Sequence, residues 1–455
     1  MSSELLDDAA ERAKRYLSGL GDRPVAPSPE AVAGLVALDE SMPDEPGDPR
    51  RTLELLDRVG SPATMAMAGP RFFGLVIGGA LPVTVAASWL ATAWDQNSGF
   101  QDMTPASARL ERISLEWLIE VLGLPRGTAA GFVTGATMAN FTSLAAARHA
   151  LLRRVGWDVE AKGLSGAPEF TVVVSEVAHP TLLKSLGLLG LGRERVLRVP
   201  VDRQGRMRAE AMPPLRSPAI VCLQAGNVNT GAFDPAPEII ARALDANAWV
   251  HVDGAFGLWA SASPELEHLA RGLAEADSWA TDAHKWLNVP YDSGIAFVRD
   301  AAALRSAMSI HAEYLPGSAG RNPSDYTPES SRRARGVEVW AALRTLGRRG
   351  LAEMIERTCR HARRFAAGLE AAGHEVLNEV VLNQVLVSFG DSEATKRTIA
   401  EIQRDGTCWC GGTVWQGRTA MRISVSSWAT TEEDVERCLR AMIDAARISG
   451  AAERE

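Results

Sequence analysis

Apolar and polar positions recur along this chain with a helical period in some stretches and as short continuous apolar runs in others, and the switches between them divide it. Residues 4 to 20 carry apolar side chains at helical spacing, which predicts an amphipathic helix. Pro24, Pro27 and Pro29 interrupt the pattern before a second short helical stretch at about 30 to 41. The segment Met42-Pro43-Asp44-Glu45-Pro46-Gly47-Asp48-Pro49 is rich in turn residues and too poor in apolar ones to be core. These stretches read as an arm, with the globular body expected after it.

From about residue 106 a helical pattern leads into Gly131-Phe132-Val133-Thr134-Gly135-Ala136-Thr137, a strand-to-helix junction whose helix runs from Met138 to about Leu152. Short apolar strands are predicted at Phe170 to Val174, Ala219 to Leu223 and Trp249 to Val252, with helical stretches between them. Strands that alternate with helices imply an α/β fold with a mostly parallel sheet covered on both faces. Beyond Trp340 a long arginine-rich helix is predicted to about Gly373, then a strand at Val385 to Phe389, a helix near 393 to 405 and a strand at Thr419 to Ser426. That reads as a smaller α/β domain. The expected organisation is a helical arm over 1–60, a large domain over 61–310, a mobile loop over 311–335 and a small C-terminal domain over 336–455.

Composition narrows the partners. The 455 residues are 46% hydrophobic and 23% charged, and no apolar run reaches the roughly 18 residues of a membrane span, so no membrane partner is expected. A formal charge of -8 with acidic and basic residues interspersed leaves out the basic footprint of a nucleic-acid binder. The segment Met1 to Asp8 has neither the basic start nor the apolar core of a secretory signal, and a cytoplasmic location is the expectation. Cys222, Cys359, Cys408, Cys410 and Cys438 lack metal-ligand spacing, so reduced thiols and no metal centre are expected.

The chemistry concentrates in two segments, His251-Val252-Asp253-Gly254-Ala255 and Ser278-Trp279-Ala280-Thr281-Asp282-Ala283-His284-Lys285-Trp286. A lysine amine condenses with a carbonyl only when unprotonated, a state that partial burial among aromatic side chains favours. A carboxylate at the end of a buried strand suits the protonated ring nitrogen of pyridoxal phosphate. Alone, Lys285 is as well read as a solvated lysine and Asp253 as an ordinary strand-end carboxylate; together and in this order they point to a lysine that holds a cofactor aldehyde. Gly135-Ala136-Thr137, at a helix start, offers N–H groups and a hydroxyl to a phosphate, or is simply a tight turn of small residues. His179 follows a predicted strand where an open α/β sheet places its ligand crevice, and could stack on a cofactor ring or be a hydrogen-bonded structural residue.

These residues resemble the group II pyridoxal-phosphate-dependent amino acid decarboxylases, which have the aspartate aminotransferase fold. The resemblance spans about residue 65 to 440. It rests on Pro70-Arg71-Phe72-Phe73-Gly74, Gly135-Ala136-Thr137, His179, Gly231-Ala232-Phe233-Asp234-Pro235, His251-Val252-Asp253-Gly254-Ala255, His284-Lys285-Trp286 and Met421-Arg422-Ile423-Ser424, in the family's order. It implies that Lys285 carries the cofactor, Asp253 pairs with the ring nitrogen, His179 stacks on the ring and Ala255 packs beneath it. Gly135, Ala136, Thr137 and Ser278 would hold the phosphate, with His284 at the cofactor and substrate face. Arg422 would bind the substrate carboxylate, a role suited to a planar guanidinium, or is a surface strand arginine; Phe72, Phe73, Trp94 and Phe100 lie where the family builds its side-chain pocket and favour an aromatic or apolar amino acid, although core packing accounts for these aromatics about as well.

The chain departs from the family's pattern at Asn227-Val228, where many members have two hydroxyl residues, and Asn227 is the expected replacement. The glycine- and proline-rich stretch from His311 to Arg332 has the composition of a mobile loop, and the resemblance implies that a tyrosine there protonates the alpha carbon; Tyr326 is the candidate, with Tyr314 the alternative, and Tyr326 reads nearly as well as an ordinary loop tyrosine. The expected enzyme is a homodimeric decarboxylase that turns an L-amino acid into an amine and carbon dioxide. An aldehyde-forming decarboxylase or aminotransferase on the same scaffold, or a non-catalytic relative, are the rivals, and the last would be expected to have lost Lys285 or Asp253.

Overall fold

The computed structural model describes residues 3–310 and 320–451. They form two compact units: one takes in the chain up to Gly79, Arg364–Leu377 and the chain from Leu386, and the other Ala80–Arg363 with Asn378–Val385. This division differs from the one expected from the sequence, because the arm belongs to one unit with most of the chain from Arg364 on, and Gly336 to Arg363 belongs to the larger unit.

The larger unit is built on a seven-stranded sheet of β1 (Ala129–Val133), β2 (Thr171–Ser175), β3 (Leu197–Val199), β4 (Ala219–Gln224), β5 (Trp249–Asp253), β6 (Ser278–Asp282) and β7 (Gly294–Val298), in the order β1-β7-β6-β5-β4-β2-β3. The ladders from β3 through β6 are parallel, whereas β7 runs antiparallel to both β1 and β6. Val172, Val173, Ile220, Val221, Val250, Ile295 and Phe297 are buried, the near-continuous apolar run of a sheet covered on both faces. The helix Ala136–Arg154 lies against this sheet through small residues: Ala139 meets Val133, Ala280 and Ala296 in one apolar cluster, and Ala145, Ala146 and Ala147 are 2% exposed or less. Small side chains bring the helix axis close to the strands, and its first turn to the strand ends.

In the other unit the helix Ser3–Ser18 buries no side chain of its own; Arg12 pairs with Asp8 at 3.0 Å and with Asp57 at 3.1 Å. The chain after it is core. Leu20 and Val25 cluster with Phe72 and Ile77, and the Arg71 guanidinium, 1% exposed, donates to the carbonyls of Gly21 (2.8 Å), Arg23 (3.0 Å) and Thr407. Buried donors that find three carbonyls tie the arm to a distant segment, which no local pattern announces. A four-stranded sheet of β8 (Glu375–Val376), β9 (Gln384–Ser388), β10 (Gly411–Trp415) and β11 (Arg418–Ser424) follows, in the order β10-β11-β9-β8, with the helices Ser392–Asp405 and Glu432–Ala451 packed on each other.

The long arginine-rich helix is present as Gly336–Ala371, but it breaks at Gly347, whose φ of 60° and ψ of -175° lie outside the helical region and suit glycine. All five cysteines are buried and free. Among the described residues no helix is long and apolar enough to cross a membrane.

Candidate active site

The parallel strands deliver their carboxyl ends to one edge of the sheet. Asp253 ends β5, Asp282 ends β6, and Gln224 at the end of β4 pairs with Asp253. The turns beyond are stitched together: the Asp282 N–H donates to the Ala255 carbonyl at 2.9 Å, the Thr281 hydroxyl to the Gly254 carbonyl at 2.8 Å, and the Ala225 N–H to the Asp253 carbonyl at 2.9 Å. On the other side Gly294 opens β7. A Cβ there would come within 2.4 Å of the Gly135 Cα, so only glycine lets the Gly135 turn approach the sheet.

Asp253 is 6% exposed and is oriented by a buried chain of hydrogen bonds. The Trp249 indole N–H donates to the Ser278 hydroxyl at 2.8 Å, which leaves the Ser278 proton for His251 Nδ1 at 2.9 Å. His251 Nε2–H then faces the Asn140 Oδ1 at 2.8 Å, and the Asn140 amide donates to Asp253 Oδ2 at 3.2 Å. Every donor and acceptor is used in one direction, so the chain has a single consistent arrangement and holds the Asp253 carboxylate from below. The Ala255 N–H reaches its other oxygen at 3.3 Å. Ser278, which the resemblance assigned to the phosphate, is therefore spent inside this chain at the start of β6, away from the Gly135 turn. Asn140 was missed; its place one helical turn after Ala136 was the available signal.

Burial pushes the His251 pKa down from 6.5 to about 3. The unfolded chain takes up this proton near 6.5 and the folded chain only near 3, so the stability that neutral His251 contributes is complete above pH 6.5 and is lost as the pH falls through that window. At about pH 5 the loss is about 2 kcal/mol. His251→Gln is expected to flatten the acid limb of a denaturation-stability curve by about that amount; a variant curve parallel to that of the parent protein would contradict it.

Around Lys285 the geometry centres on Asp282, whose side chain is 3% exposed. One carboxylate oxygen accepts the Ala136 N–H at 2.6 Å, at the start of the helix Ala136–Arg154. The other lies 3.0 Å from Lys285 Nζ and 3.6 Å from His284 Nε2. His284 accepts the Ser293 N–H on Nδ1 at 3.1 Å, which leaves its Nε2–H facing Asp282. Burial lowers the His284 pKa, with the Asp282 carboxylate opposing it and the Lys285 charge adding to it. The Tyr291 ring stacks on His284 with centroids 4.3 Å apart and stays 53% exposed, its phenol pKa pushed up to about 12 by desolvation. Asp282 and Tyr291 were not singled out from the sequence, although Asp282 lies within the quoted motif.

The other expected residues take varied positions. His179 caps the helix Pro180–Leu188, its Nδ1 accepting the Thr181 N–H at 3.3 Å and lying 2.6 Å from the Thr181 hydroxyl. Thr137 is partly buried, and its carbonyl accepts the Ser185 hydroxyl at 2.8 Å. Asn227 gives its side chain to its own loop, accepting the Asn229 and Thr230 N–H groups at 2.9 and 3.3 Å and donating to Gln224 at 3.2 Å. Phe100 is partly buried, and Trp94 is 43% exposed. In the other unit Phe72 stacks on Trp409 at 5.2 Å and Phe73 meets Phe365 edge-on at 5.1 Å, both buried in that unit's own core. Arg422 there lies on β11, with burial lowering its pKa.

Tyr326 is not brought to Lys285 within the chain. It ends the short 3-10 helix Pro323–Tyr326, its ring 4.3 Å from the Arg321 guanidinium, and packs with the helix Ala301–Met308 that follows Val298. Lys285 follows Asp282 at the carboxyl end of β6, whereas the Tyr326 carbonyl lies against Gly131 in the middle of the edge strand β1. The alternative, Tyr314, lies outside the described residues.

Residues 33–390 match the pyridoxal-dependent decarboxylase conserved domain, and the chain belongs to that family. Its activity is the pyridoxal-dependent decarboxylation of an amino acid, with pyridoxal phosphate as cofactor. The chain is 26% identical over 465 residues to an aromatic-L-amino-acid decarboxylase of Bacillus atrophaeus, covering 95% of this chain and 93% of the relative. It is 30% identical over 449 residues to an L-2,4-diaminobutyrate decarboxylase of Rhizobium meliloti, covering 92% and 84%. The crystal structure of Oryza sativa TDC with PLP and tryptamine has the same fold, with a TM-score of 0.90 at 24% identity over 98% of this chain and 97% of that one. The residues present suit the cofactor: a helix N-terminus that already takes a carboxylate, a lysine amine beside it, and a buried, oriented carboxylate at the end of the neighbouring strand.

Proposed function

We propose that this chain decarboxylates an L-amino acid with an aromatic or apolar side chain to the amine and carbon dioxide, with Lys285 holding the cofactor aldehyde and Asp253 its ring nitrogen. The observation that carries this reading is the stitching of the Asp253 and Lys285 turns, through the 2.9 Å bond from the Asp282 N–H to the Ala255 carbonyl, beside the Gly135 turn. When bound, pyridoxal phosphate supplies an aldehyde to an amine and a ring that draws electrons from the alpha carbon. Asp253, oriented by Asn140, which His251 holds in turn, would set its carboxylate against the ring nitrogen. The N–H groups of Gly135, Ala136 and Thr137 supply the phosphate site, and His179 and Ala255 the two ring faces. Arg422 is the proposed partner of the substrate carboxylate.

Phe72 and Phe73 are buried against Trp409 and Phe365, so the aromatic or apolar preference is argued from other residues. Its support is the exposed Tyr291 ring over His284, together with the aromatic substrate in the name of the Bacillus atrophaeus relative. The test is a screen of the standard L-amino acids that follows carbon dioxide, amine, aldehyde and ammonia together. Carbon dioxide and amine in equal amounts, with aromatic or apolar substrates preferred, is the expected result. Aldehyde with ammonia, or a transferred amino group, would replace the amine reading.

A homodimer is part of the proposal. On the helix Pro82–Trp94 the side chains of Trp89, Leu90 and Trp94 are 46%, 56% and 43% exposed, an apolar face of the kind a second copy covers. Light scattering should give twice the chain mass of 48.7 kDa, and a fully active single chain would contradict it.

A further inference from the structure

Asp282 touches the groups that the proposed function assigns to the cofactor. Its carboxylate takes the Ala136 N–H at 2.6 Å, where the phosphate is proposed to bind, and stands 3.0 Å from the Lys285 amine, where the aldehyde is proposed to bind. It is held there from several sides. Its N–H is bonded to the Ala255 carbonyl at 2.9 Å, and its own carbonyl accepts the Trp259 indole N–H at 3.0 Å, so the backbone cannot carry the carboxylate away without breaking buried hydrogen bonds.

We propose that Asp282 is an affinity-setting residue of this site: a built-in anion that competes with the cofactor phosphate for the helix N-terminus and with the cofactor aldehyde for Lys285. A helix N-terminus with aligned N–H groups favours any anion, and a side-chain carboxylate already there takes part of that stabilisation for itself. A phosphate brought into the same turn meets a second negative charge in a water-poor place, where screening is weak. The Lys285 ammonium gains its partner from the same carboxylate, so covalent capture of an aldehyde also ends an ion pair. Both effects weaken cofactor binding. A residue at this position with the same shape and no charge would keep the turn and remove the competition.

This inference rests on the placement of the cofactor proposed above, and its test separates the two. The full-length chain, depleted of cofactor by dialysis against hydroxylamine, is titrated with pyridoxal phosphate, with unphosphorylated pyridoxal and with inorganic phosphate, for the parent protein and for Asp282→Asn. Binding is read as a dissociation constant by calorimetry and as the shift of the thermal midpoint with ligand. The unliganded midpoint of the variant serves as the folding check, with Asp282→Ser as the second uncharged variant. The expected result is pyridoxal phosphate bound at least about tenfold more tightly by both variants, a larger midpoint shift with inorganic phosphate, and a smaller gain for pyridoxal. Unchanged or weaker binding of pyridoxal phosphate would overturn the proposal and leave Asp282 as a helix cap. An equal gain for pyridoxal and pyridoxal phosphate would overturn the competition with phosphate. If the parent protein bound pyridoxal phosphate without attaching it to Lys285, the placement itself would fail before Asp282 entered the question.

Discussion

Lys285→Ala is expected to lower amino acid decarboxylation by at least about a thousandfold, because it removes the nucleophile that holds the cofactor aldehyde. The change leaves the fold in place: the side chain is 20% exposed, and its recorded ion partner, Asp282, keeps the Ala136 N–H at 2.6 Å. Two measurements check it. Borohydride reduction should fix pyridoxal phosphate covalently to the parent protein and not to the variant, and the thermal midpoints of the two should agree to within a few degrees. Turnover at the parent rate, or covalent fixation of cofactor in the variant, would remove Lys285 from the role.

Asp253→Ala is expected to leave covalent attachment of the cofactor possible and to slow the chemical step. A charge-assisted hydrogen bond contributes about 1.5–3 kcal/mol, which corresponds to a fall in kcat of about ten- to a hundredfold. The substitution also strips the Asn140 amide of its acceptor at the end of the buried chain from Trp249 through Ser278 and His251, and one orphaned buried donor costs about 1–3 kcal/mol of stability. An unchanged kcat would show that Asp253 does not partner the ring nitrogen. A lowered kcat restored by Asp253→Glu would separate the charge from the packing.

Both residues were legible in the sequence, for a physical reason. Strands buried on both faces need continuous apolar runs, and those at Ala219 to Leu223 and Trp249 to Val252 match β4 and β5 to within a residue. Polar residues that directly follow such a run lie at a strand end, where an open sheet has its crevice, so Asp253 could be placed before any contact was known. Gly135, between an apolar strand and a long helix, is placed by the same reasoning.

Other features were not legible. β7 is as short and apolar as its neighbours, but its direction and its place between β1 and β6 depend on ladders to Ala129–Val133 and Ser278–Asp282, which local pattern does not encode. Phe72 and Phe73 carry the same side chains in a pocket or in a core, and only packing on Trp409 and Phe365 distinguishes the two. Tyr326 lies in a stretch of loop-like composition, yet the Arg321 guanidinium and the helix Ala301–Met308 hold it within the folded body.

The sequence by itself determined the long helices, the central strands β2, β4 and β5, the alternation that makes the sheet mostly parallel, and the chemical groups at the strand ends, because these follow from local periodicity and from side-chain chemistry. The tertiary structure decided the partner of each buried polar group. Ser278 bonds His251 rather than a phosphate, and Asp282 bonds Ala136 and Lys285, because strand register and helix placement bring together atoms up to 146 residues apart. A buried donor or acceptor must be satisfied by whatever that register puts within about 3 Å, and register is a property of the assembled sheet.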